Sequence, residues 1–407
     1  MFASKYFEKT AGFTPRLAEP PDPATGMVVV IPCYQEPDIL KTLDALLCCD
    51  PPRSRTEVII LVNEPEGSSP EISGYNEATM EALRQWKEEH SAAHITVLPA
   101  GPVRLPAKWA GVGLARKAGM DEALWRFHVT HQPQGIIISL DADTLVEPGY
   151  LKAIENHFAA HPADVGATIC FRHQEEGFSK KQIEGIRRYE RYMTYYKNAM
   201  AWSGYPHALY TVGSAFAVRA EAYMKRGGMT RRKAGEDFYF LQTLTQLGHV
   251  GEIETTTIHP SPRISLRVPF GTGQVMKKWM EGSGDLLSTF NLDAFRDLKE
   301  FFAASPGFFK VSPEEAERLV SQLPLPVAEF LRHEKIIPEI LELSDHCSTP
   351  EVFRVRFFQV FTAFRILRFL NFSHPTYYQK PPLEECCAQL EALQRVKSAP
   401  IPDGRCV

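Results

Sequence analysis

Four short apolar runs recur through the first part of the chain, each separated from the next by a stretch with helical periodicity. They are "MVVVIPCY" (27–34), "EVIILVN" (57–63), "ITVLPA" (95–100) and "GIIISLDAD" (135–143). Each run has the length of a strand and is apolar throughout rather than at alternate positions. Strands of this kind are buried on both faces, as in a parallel sheet that is covered by helices on each side. The pattern therefore predicts an α/β sandwich.

The stretches between these runs predict helices, and the pattern changes after residue 150. Helices are predicted at 38–49, 76–90, 111–127, 180–200 and 236–248. The segment 208–223 predicts a strand, a glycine turn, a second strand and a short helix, and 260–273 predicts a loop. From about residue 285 the chain is mainly helical. We therefore expect three parts: a loose leader over 1–26, an α/β domain over 27–282 and a helical C-terminal extension over 283–407.

Composition narrows the class of protein. The 407 residues are 44% hydrophobic and 23% charged, which is ordinary for a globular chain, and the net charge of −4 gives no general attraction for nucleic acid. The eight cysteines include no C-x-x-C pair, which favours a reduced, cytoplasmic protein. No stretch has the roughly 18 uninterrupted apolar residues that a membrane span needs. We expect no nucleic-acid partner.

The fourth apolar run ends in two aspartates, Asp141 and Asp143. In an extended strand, side chains two residues apart point to the same side. Ligands of open α/β sheets bind beyond the carboxyl ends of the strands. Two carboxylates at such a place need a positive partner, and a hard divalent cation that bridges to substrate phosphates is a natural one. The alternative is a turn or a helix cap, in which aspartate is also common.

Six segments, in order, resemble family 2 glycosyltransferases. They are "VVVIPCYQEPDILKTLDALL", "EVIILVNEPEGSS", "DADTLVEPGYL", "TVGSAFAVRAEAYMKRGGM", "GEDFYFLQTLTQLGH" and "GTGQVMKKW", and they cover 27–282. The resemblance implies a GT-A type, Rossmann-like fold. It also implies transfer of a sugar from a nucleotide diphosphate sugar to an acceptor hydroxyl, with Mn²⁺ or Mg²⁺ as cofactor.

The resemblance and the chemistry of the side chains together assign candidate residues. The predicted nucleotide-sugar-binding residues are Pro32, Tyr34, Glu36, Asn63, Lys108, Asp141 and Asp143. The predicted metal ligands are Asp143 and His259, with a purely structural role as the alternative for the histidine. The predicted acceptor or diphosphate contacts are Gly213, Ser214, Glu236, Arg263, Arg267, Gln274 and Trp279. Gln35 precedes Glu36 where the family has asparagine. Asn63 and Glu64 stand where the family usually has two acidic residues, at the end of the second strand. Because of these departures, the resemblance does not identify the base of the nucleotide.

Asp237, in "GEDFYF", is the predicted general base. A carboxylate can accept the proton of a sugar hydroxyl while the new bond forms. Its neighbour Glu236 is explained equally well by the positive end of a helix dipole. Direct attack assisted by one base predicts inversion at the anomeric carbon.

Two other functions compete with this one. The first is a non-catalytic module of the same fold that only binds nucleotide sugars. The second is a phosphatase of the haloacid dehalogenase class, which also begins with Asp-x-Asp, although Leu145 replaces the usual threonine or valine. The acceptor is left open among a sugar, a lipid-linked molecule and a small molecule. The stretch 352–372 interleaves phenylalanine with arginine and predicts either a core-facing helix or one that contacts the inner face of a membrane.

Overall fold

The computed structural model describes residues 2–10, 12–90, 92–232, 235–265 and 271–398. The chain divides into two compact units. The first comprises Met1–Ile183 and Thr211–Met280, and the second comprises Glu184–Tyr210 and Glu281–Val407. The segment 184–210, which falls within the predicted α/β domain, therefore groups with the helical part of the chain.

The first unit is built on one eight-stranded sheet. Its strands are β1 (Thr25–Cys33), β2 (Arg55–Pro65), β3 (Ile95–Leu105), β4 (Ile136–Ser139), β5 (Leu145–Val146), β6 (Gly166–Phe171), β7 (Phe216–Arg219) and β8 (Val250–His259). Their order across the sheet is β3-β2-β1-β4-β7-β6-β8-β5. The four strands predicted from the apolar runs are β1 to β4, and they are mutually parallel where they pair. β7 runs antiparallel to both of its neighbours, β4 and β6, so the complete sheet is mixed.

Helices connect these strands. They are α1 (Ser4–Lys9), α2 (Ile39–Leu47), α3 (Pro70–Glu89), α4 (Val112–Val129), α5 (Tyr150–Ala160), α6 (Lys180–Trp202, most of which belongs to the second unit), α7 (Ala220–Lys225), α8 (Glu236–Leu244) and α9 (Thr272–Met280). Of the two strands predicted within 208–223, only β7 forms, and α7 follows it directly.

Both faces of the central strands are buried, as the continuous apolar runs predict. On one face, Met27, Val29 and Ile31 of β1 pack in a cluster with residues of α2, α3 and α5. On the other face α4 lies close to the sheet, because a Cβ added at Gly119 would be 2.5 Å from Val30 Cγ1. Because β1 pairs in parallel with both β2 and β4, the carboxyl ends of these three strands lie at the same end of the sheet.

The segment 1–26, for which the sequence predicts a loose leader, begins with a helix that is docked on α4. The Tyr6 hydroxyl is buried and donates to Asp121 Oδ1 at 2.6 Å, and Lys117 Nζ donates to the same hydroxyl at 2.9 Å. These partners are more than 100 residues away along the chain, so the leader's own sequence does not reveal them.

The second unit is helical, which confirms the predicted extension. Beyond α6 it contains α10 (Leu292–Ala304), a 3₁₀ helix (Ser305–Phe308), α11 (Pro313–Ser321), α12 (Leu325–His333), α13 (Ile336–Asp345), α14 (Pro350–Val360), α15 (Ala363–Ser373) and α16 (Leu383–Ser398). Within the described ranges, no helix combines the length and the apolar character that a membrane crossing requires.

The phenylalanine-rich stretch 352–372 forms two helices, α14 and α15, rather than one. Phe353, Phe357 and Phe361 are fully buried, whereas Phe364 is exposed. Two of the arginines in this stretch form ion pairs within the unit: Arg365 with Glu339 at 2.6 Å and Arg368 with Glu334 at 2.5 Å. The burial of the phenylalanines and the pairing of these arginines favour the core-facing interpretation.

Candidate functional site

A buried arginine that the sequence analysis did not single out organises one half of the site. Arg116, on α4, is 2% exposed; it donates through Nη1 to Glu236 Oε1 and through Nη2 to Asp141 Oδ1. It thereby joins α4, the start of α8 and the segment that follows β4. Burial lowers the pKa of Arg116, but the charges of the surrounding carboxylates raise that pKa above its ordinary value. The arginine is therefore a permanent buried cation.

Glycine leaves room for this cation. A Cβ added at Gly213 would lie 2.8 Å from Arg116 Nη2, closer than real Cβ contacts come. The Gly213 carbonyl is held by Ser139, whose Oγ donates to it at 2.6 Å. The next residue, Ser214, is buried, and its Oγ has no hydrogen-bond partner among the described residues. Gly213 and Ser214 were predicted to contact acceptor or diphosphate, and Gly213 lies against Arg116.

Asp237 lies in the first turn of α8, beside this cluster, and its side chain is half-buried. Burial and then the negative charge of Glu236 raise the pKa of Asp237 to about 7. The charge of Arg116 and a 2.7 Å hydrogen bond from the backbone N–H of Phe238 act in the opposite direction. A carboxylate with a pKa near neutrality is well suited to exchange a proton during catalysis.

The two aspartates of the Asp-x-Asp motif do not lie on an extended strand. β4 ends at Ser139, and Thr144 donates its backbone N–H to the Asp141 carbonyl at 3.1 Å, which closes a turn. The prediction that strand geometry points both side chains to one side is therefore wrong, since the strand is shorter than the apolar run. Each aspartate forms its own ion pair instead: Asp141 with Arg116, and Asp143 with Arg263.

Arg263 organises the other half of the site. Its two terminal nitrogens donate to the two carboxylate oxygens of Glu36, with 2.6 Å from Nη1 to Oε1. Nη2 also lies 2.9 Å from Asp143 Oδ2. Burial lowers the pKa of Arg263, but the hydrogen bond that it donates to Glu36 and the charge of Asp143 raise it above its ordinary value. Three residues predicted separately, one in each of three segments, thus meet in one ion-pair cluster.

His259 ends β8, directly opposite Leu145 of β5. Its Nδ1 is 2.8 Å from the carbonyl of Arg172. A carbonyl can only accept, so Nδ1 carries the proton and, in the neutral ring, Nε2 keeps its lone pair. Nε2 lies 3.7 Å from Glu147 Oε1, a carboxylate that the sequence analysis did not consider.

Gln174 connects the two predicted metal ligands. Its Nε2 donates to the carbonyl of Asp143 at 2.8 Å and to the carbonyl of His259 at 2.7 Å. One amide group therefore fixes the backbone at both ligands. Outer-shell hydrogen bonds of this kind orient the ligands of a metal site.

Two of the predicted residues carry donor atoms that could hold a divalent cation. Asp143 offers a carboxylate oxygen, which suits Mg²⁺ and Mn²⁺, and His259 offers an imidazole nitrogen with its lone pair available. The charge of Asp143 is met by Arg263, so a bound cation would share this carboxylate with the arginine.

The end of β2 carries a further acidic residue. Glu64 is buried and accepts hydrogen bonds from Asn76 Nδ2 at 3.3 Å, Ser73 Oγ at 3.1 Å and Arg104 Nε at 3.2 Å. Burial raises the pKa of Glu64, but these hydrogen bonds hold it below its usual value. The same Asn76 side chain donates to the Asn63 carbonyl and accepts from the backbone N–H of Gln35, both at 3.3 Å. Asn76 thus links the ends of β1 and β2.

The remaining predicted residues lie as follows. Pro32 is buried in β1 opposite Leu61 of β2, and Tyr34, just after β1, is half-buried. Lys108 is exposed, with its ammonium 4.9 Å from the centre of the Trp109 ring. On α9, Gln274 Nε2 donates to the Ser265 carbonyl at 3.3 Å and Trp279 Nε1 donates to the Lys181 carbonyl at 2.8 Å. Arg267 lies outside the described residues.

The family of the chain follows from its sequence. Residues 23–249 match the family described as "Glycosyltransferase like family 2", which is more than half of the 407 residues. The chain belongs to this family. Membership confirms the resemblance and the predicted GT-A fold class, and it identifies the protein as a glycosyltransferase. It also decides against the phosphatase alternative.

Two solved structures are similar to this chain at low sequence identity. Residues 1–349 of TarS from S. aureus, in complex with UDP-GlcNAc, are 12% identical, with coverage of 82% of this chain and 91% of that one and a TM-score of 0.39. The mannosyltransferase PcManGT from Pyrobaculum calidifontis, in complex with GDP-Man and Mn²⁺, is 14% identical, with coverage of 98% and 93% and a TM-score of 0.37. At this level of similarity they add nothing to the family assignment. No curated protein matches the chain.

Proposed function

We propose that this glycosyltransferase is an inverting, metal-assisted enzyme in which Asp237 is the general base. The observation that carries the proposal is the state of Asp237: a half-buried carboxylate at the start of α8 with a pKa raised to about 7. Such a group can hold or release a proton near neutral pH, and a general base is most effective when its pKa lies close to the working pH.

The Arg116 cluster supports this role. Glu236 and Asp141 are both bound to the buried arginine, so they are fixed in position and occupied by ion pairs. Asp237 lies beside the same three charges, and its pKa is raised first by burial and then by the negative charge of Glu236. We infer that Arg116, Asp141 and Glu236 position and tune Asp237, which accepts the proton of the acceptor hydroxyl.

The Arg263 cluster supports donor binding. The donor carries a diphosphate, and Arg263 is a guanidinium that can bind phosphate oxygens through two parallel hydrogen bonds. Asp143 and His259 would hold a divalent cation, which would offset the negative charge of the leaving diphosphate. Glu36 fixes the orientation of Arg263, and Gln174 aligns the two ligands. We therefore assign leaving-group stabilisation to the Arg263 cluster and proton transfer to the Arg116 cluster.

Inversion follows from this division. With Asp237 as base, the acceptor hydroxyl attacks the anomeric carbon directly, from the face opposite the diphosphate. An α-linked donor then gives a β-linked product.

The first experiment identifies the donor. The thermal shift of the purified protein is measured with UDP, GDP and dTDP, each with Mn²⁺, with Mg²⁺ or with chelator. We expect one nucleotide to stabilise the protein only when a metal is present, and Asp143→Ala to abolish this stabilisation. Equal stabilisation with chelator would contradict the metal-assisted part of the proposal.

The second experiment tests the base. Release of the nucleotide diphosphate from the matching sugar donor is followed for the wild type, Asp237→Asn and Asp293→Asn. Asp293 is the matched control, since it also lies in the first turn of a helix. Asp237→Asn should retain nucleotide binding but lose about 10²-fold or more in turnover, and the control should keep both. Nucleotide binding by the wild type without turnover of any sugar donor would favour the non-catalytic alternative.

The acceptor and the location of the protein are part of the proposal. We place the enzyme in the cytoplasm, because all seven cysteines among the described residues are free.

A lipid-linked acceptor would bring α14 and α15 to a membrane surface, where the exposed side chains of Val352, Val355 and Phe364 would make contact. Cosedimentation with anionic vesicles tests whether the acceptor is lipid-linked. The wild type should bind the vesicles and Val355→Asp should not. If the wild type does not bind them, a sugar or a small molecule remains as the acceptor.

A further inference from the structure

A second cluster of metal-ligating side chains lies far from the nucleotide end of the first unit. His249 immediately precedes β8, whereas the predicted metal ligand His259 is the last residue of that strand. A strand rises about 3.3 Å per residue, so ten residues separate the two histidines by roughly 30 Å. Whatever binds near His249 therefore cannot take part in the reaction at Asp143.

Three ligand groups converge at this place. His157 lies in the last turn of α5, and His161 is the residue that caps the same helix. Asp164 lies two residues before β6, which begins at Gly166. The ligand atoms of these three residues all lie within 4.8 Å of one another. His157 Nε2 is 3.0 Å from Asp164 Oδ2. Histidines four residues apart lie on one face of a helix, which is why both rings reach the same carboxylate.

The ligand groups are held in position by other contacts. His161 Nδ1 lies 3.0 Å from the carbonyl of His157, so Nδ1 carries the proton and Nε2 keeps its lone pair in the neutral ring. His249 Nδ1 donates to Asp164 Oδ1 at 2.7 Å and holds that carboxylate from the other side. Arg219 Nε donates to the backbone carbonyl of Asp164 at 2.9 Å. The aspartate itself is 5% exposed, so it is a buried acid with fixed orientation.

Where β8 contacts this cluster, its residue is Gly251, which has no side chain. A Cβ added at Gly251 would lie 2.5 Å from Asp164 Oδ2 and 2.6 Å from His157 Nε2. Any other residue at position 251 would displace the two groups that approach each other most closely.

We propose that His157, His161 and Asp164 form a zinc site that fastens the end of α5 to the connection that leads into β6. Two imidazole nitrogens and one carboxylate oxygen are a donor set that Zn²⁺ uses, with water in the fourth position. Ligands about 2.0–2.1 Å from a tetrahedral ion lie roughly 3.4 Å apart, close to the separation between His157 Nε2 and Asp164 Oδ2. His249 orients the aspartate by donating its Nδ1–H, as residues behind a metal ligand commonly do.

A metal-free network is the competing explanation of the same contacts. In that case His157 and His249 simply donate hydrogen bonds to Asp164, and the exposed ring of His161 contributes little. The two explanations differ at His161. The zinc site needs this residue as a ligand, whereas the hydrogen bonds to Asp164 are complete without it.

The experiment measures zinc binding by the whole protein after treatment with chelator. ZnCl₂ is titrated by calorimetry, and thermal unfolding is followed with and without it. We expect Asp143→Ala, which lacks the predicted metal ligand at the nucleotide end, to bind one equivalent of Zn²⁺, and this binding should raise its Tm by about 5 °C or more at a concentration 100-fold above Kd. Replacement of Zn²⁺ by Co²⁺ should give the intense visible absorption of a tetrahedral site.

Three variants locate the zinc. His161→Ala should weaken binding at least about tenfold and abolish the rise in Tm, since a ligand is lost. His346→Ala is the matched control, because His346 is also an exposed histidine that caps a helix, and it should bind zinc as the wild type does. Asp143→Ala removes the predicted metal ligand at the nucleotide end and should keep one equivalent of zinc, which is lost when His161→Ala is added to it.

Two results would overturn the proposal. One is the absence of stoichiometric Zn²⁺ or Co²⁺ binding by the wild type. The other is zinc binding that is wholly lost in Asp143→Ala, or that Asp143→Ala retains after His161→Ala is added, since the zinc would then lie elsewhere. Circular dichroism confirms that each variant is folded. None of these readouts depends on turnover, so the zinc site stands or falls independently of the proposed reaction.

Discussion

Replacing Glu236 by glutamine should lower the pKa of Asp237 and shift the acid limb of the pH–rate profile to lower pH. After burial, the charge of Glu236 is the largest cause that raises the pKa of Asp237 to about 7. Glutamine keeps a carbonyl oxygen that can accept from Arg116, so the buried arginine retains an acceptor while one negative charge is lost. The positive charge of Arg116 then acts on fewer carboxylates, and Asp237 ionises more readily.

The size of the shift can be worked out from the arrangement of the charges. Carboxylates on adjacent residues at a helix start lie roughly 6 Å apart, and at an effective dielectric constant of about 20 they interact by about 2.8 kcal/mol, or about 2 pKa units. Asp237 is half-buried and solvent screens part of this repulsion, so a shift of about 1 unit, to a pKa of about 6, is expected. At pH 5.5 the ionised fraction then rises from about 3% to about a quarter.

The assay is kcat/KM for nucleotide release between pH 5 and pH 8.5, with the donor found by thermal shift. In the wild type, activity should fall about tenfold per unit of pH below about 7, because the base must be ionised to act. In Glu236→Gln the same fall should begin about one unit lower, so that the activity at pH 5.5, relative to its plateau, is about eightfold higher. Glu254→Gln is the control, since Glu254 is an exposed carboxylate on β8, and its profile should match the wild type. An acid limb that does not move in Glu236→Gln would refute Asp237 as the titrating base.

Four further predictions concern neighbouring groups. Because the pKa of Asp237 is raised in the folded state, the free energy of unfolding of the wild type should fall as pH rises from about 4 through about 7. Asp237→Asn cannot ionise, so its Tm should equal that of the wild type near pH 4 and exceed it by about 5 °C at pH 8. Equal Tm values at pH 8 would contradict the raised pKa. Arg263→Gln should bind Mn²⁺ more tightly in the absence of nucleotide, since Asp143 loses a competing cation, while affinity for the nucleotide diphosphate falls; calorimetry measures both, and two decreases would argue against competition. Gln174→Leu should weaken Mn²⁺ binding about 10–100-fold, because the amide no longer aligns Asp143 and His259, and an unchanged Kd would show that this alignment is not needed. Proton coupling at the new anomeric centre should show a β-linked product from an α-linked donor, and retention would remove the role assigned to Asp237.

The sheet could be predicted because its information is local. The run 27–34 corresponds to β1 (Thr25–Cys33) and the run 57–63 to the middle of β2 (Arg55–Pro65). Strands covered on both faces must be apolar at every position, and this leaves a pattern that is visible without any knowledge of the neighbours. β7 has only four residues, Phe216–Arg219, and its direction depends on how the chain returns to the sheet, so no local pattern fixes it.

Arg116 could not be found in the same way. Its partners Asp141 and Glu236 are 25 and 120 residues away, and α4 carries charged residues that are buried as well as apolar ones. A helix between two fully apolar strands should have an apolar face that packs on the sheet. The only signal in the sequence was that charged residues, such as Arg116 and Lys117, occur in this helix where apolar residues are expected. Asn76 and Gln174 were missed for a related reason, since neutral amides are common and only their partners show that they connect functional segments.

The two aspartates that end the fourth apolar run belong to two different charge clusters. Asp141 is bound to Arg116 and Asp143 to Arg263, and each of these arginines also binds a glutamate, Glu236 or Glu36. Arg116 thus meets two carboxylates and Arg263 three, because Asp38 Oδ2 lies 3.9 Å from Arg263 Nη1. The excess of negative charge has a different consequence in each cluster. Beside Arg116 a third carboxylate, Asp237, takes up a proton near neutral pH. Beside Arg263 the excess favours a divalent cation, for which His259 offers a further ligand. The short turn after β4, which carries Asp141 and Asp143, therefore connects the cluster that contains Asp237, the proposed proton acceptor, with the cluster that contains Arg263, the proposed diphosphate contact.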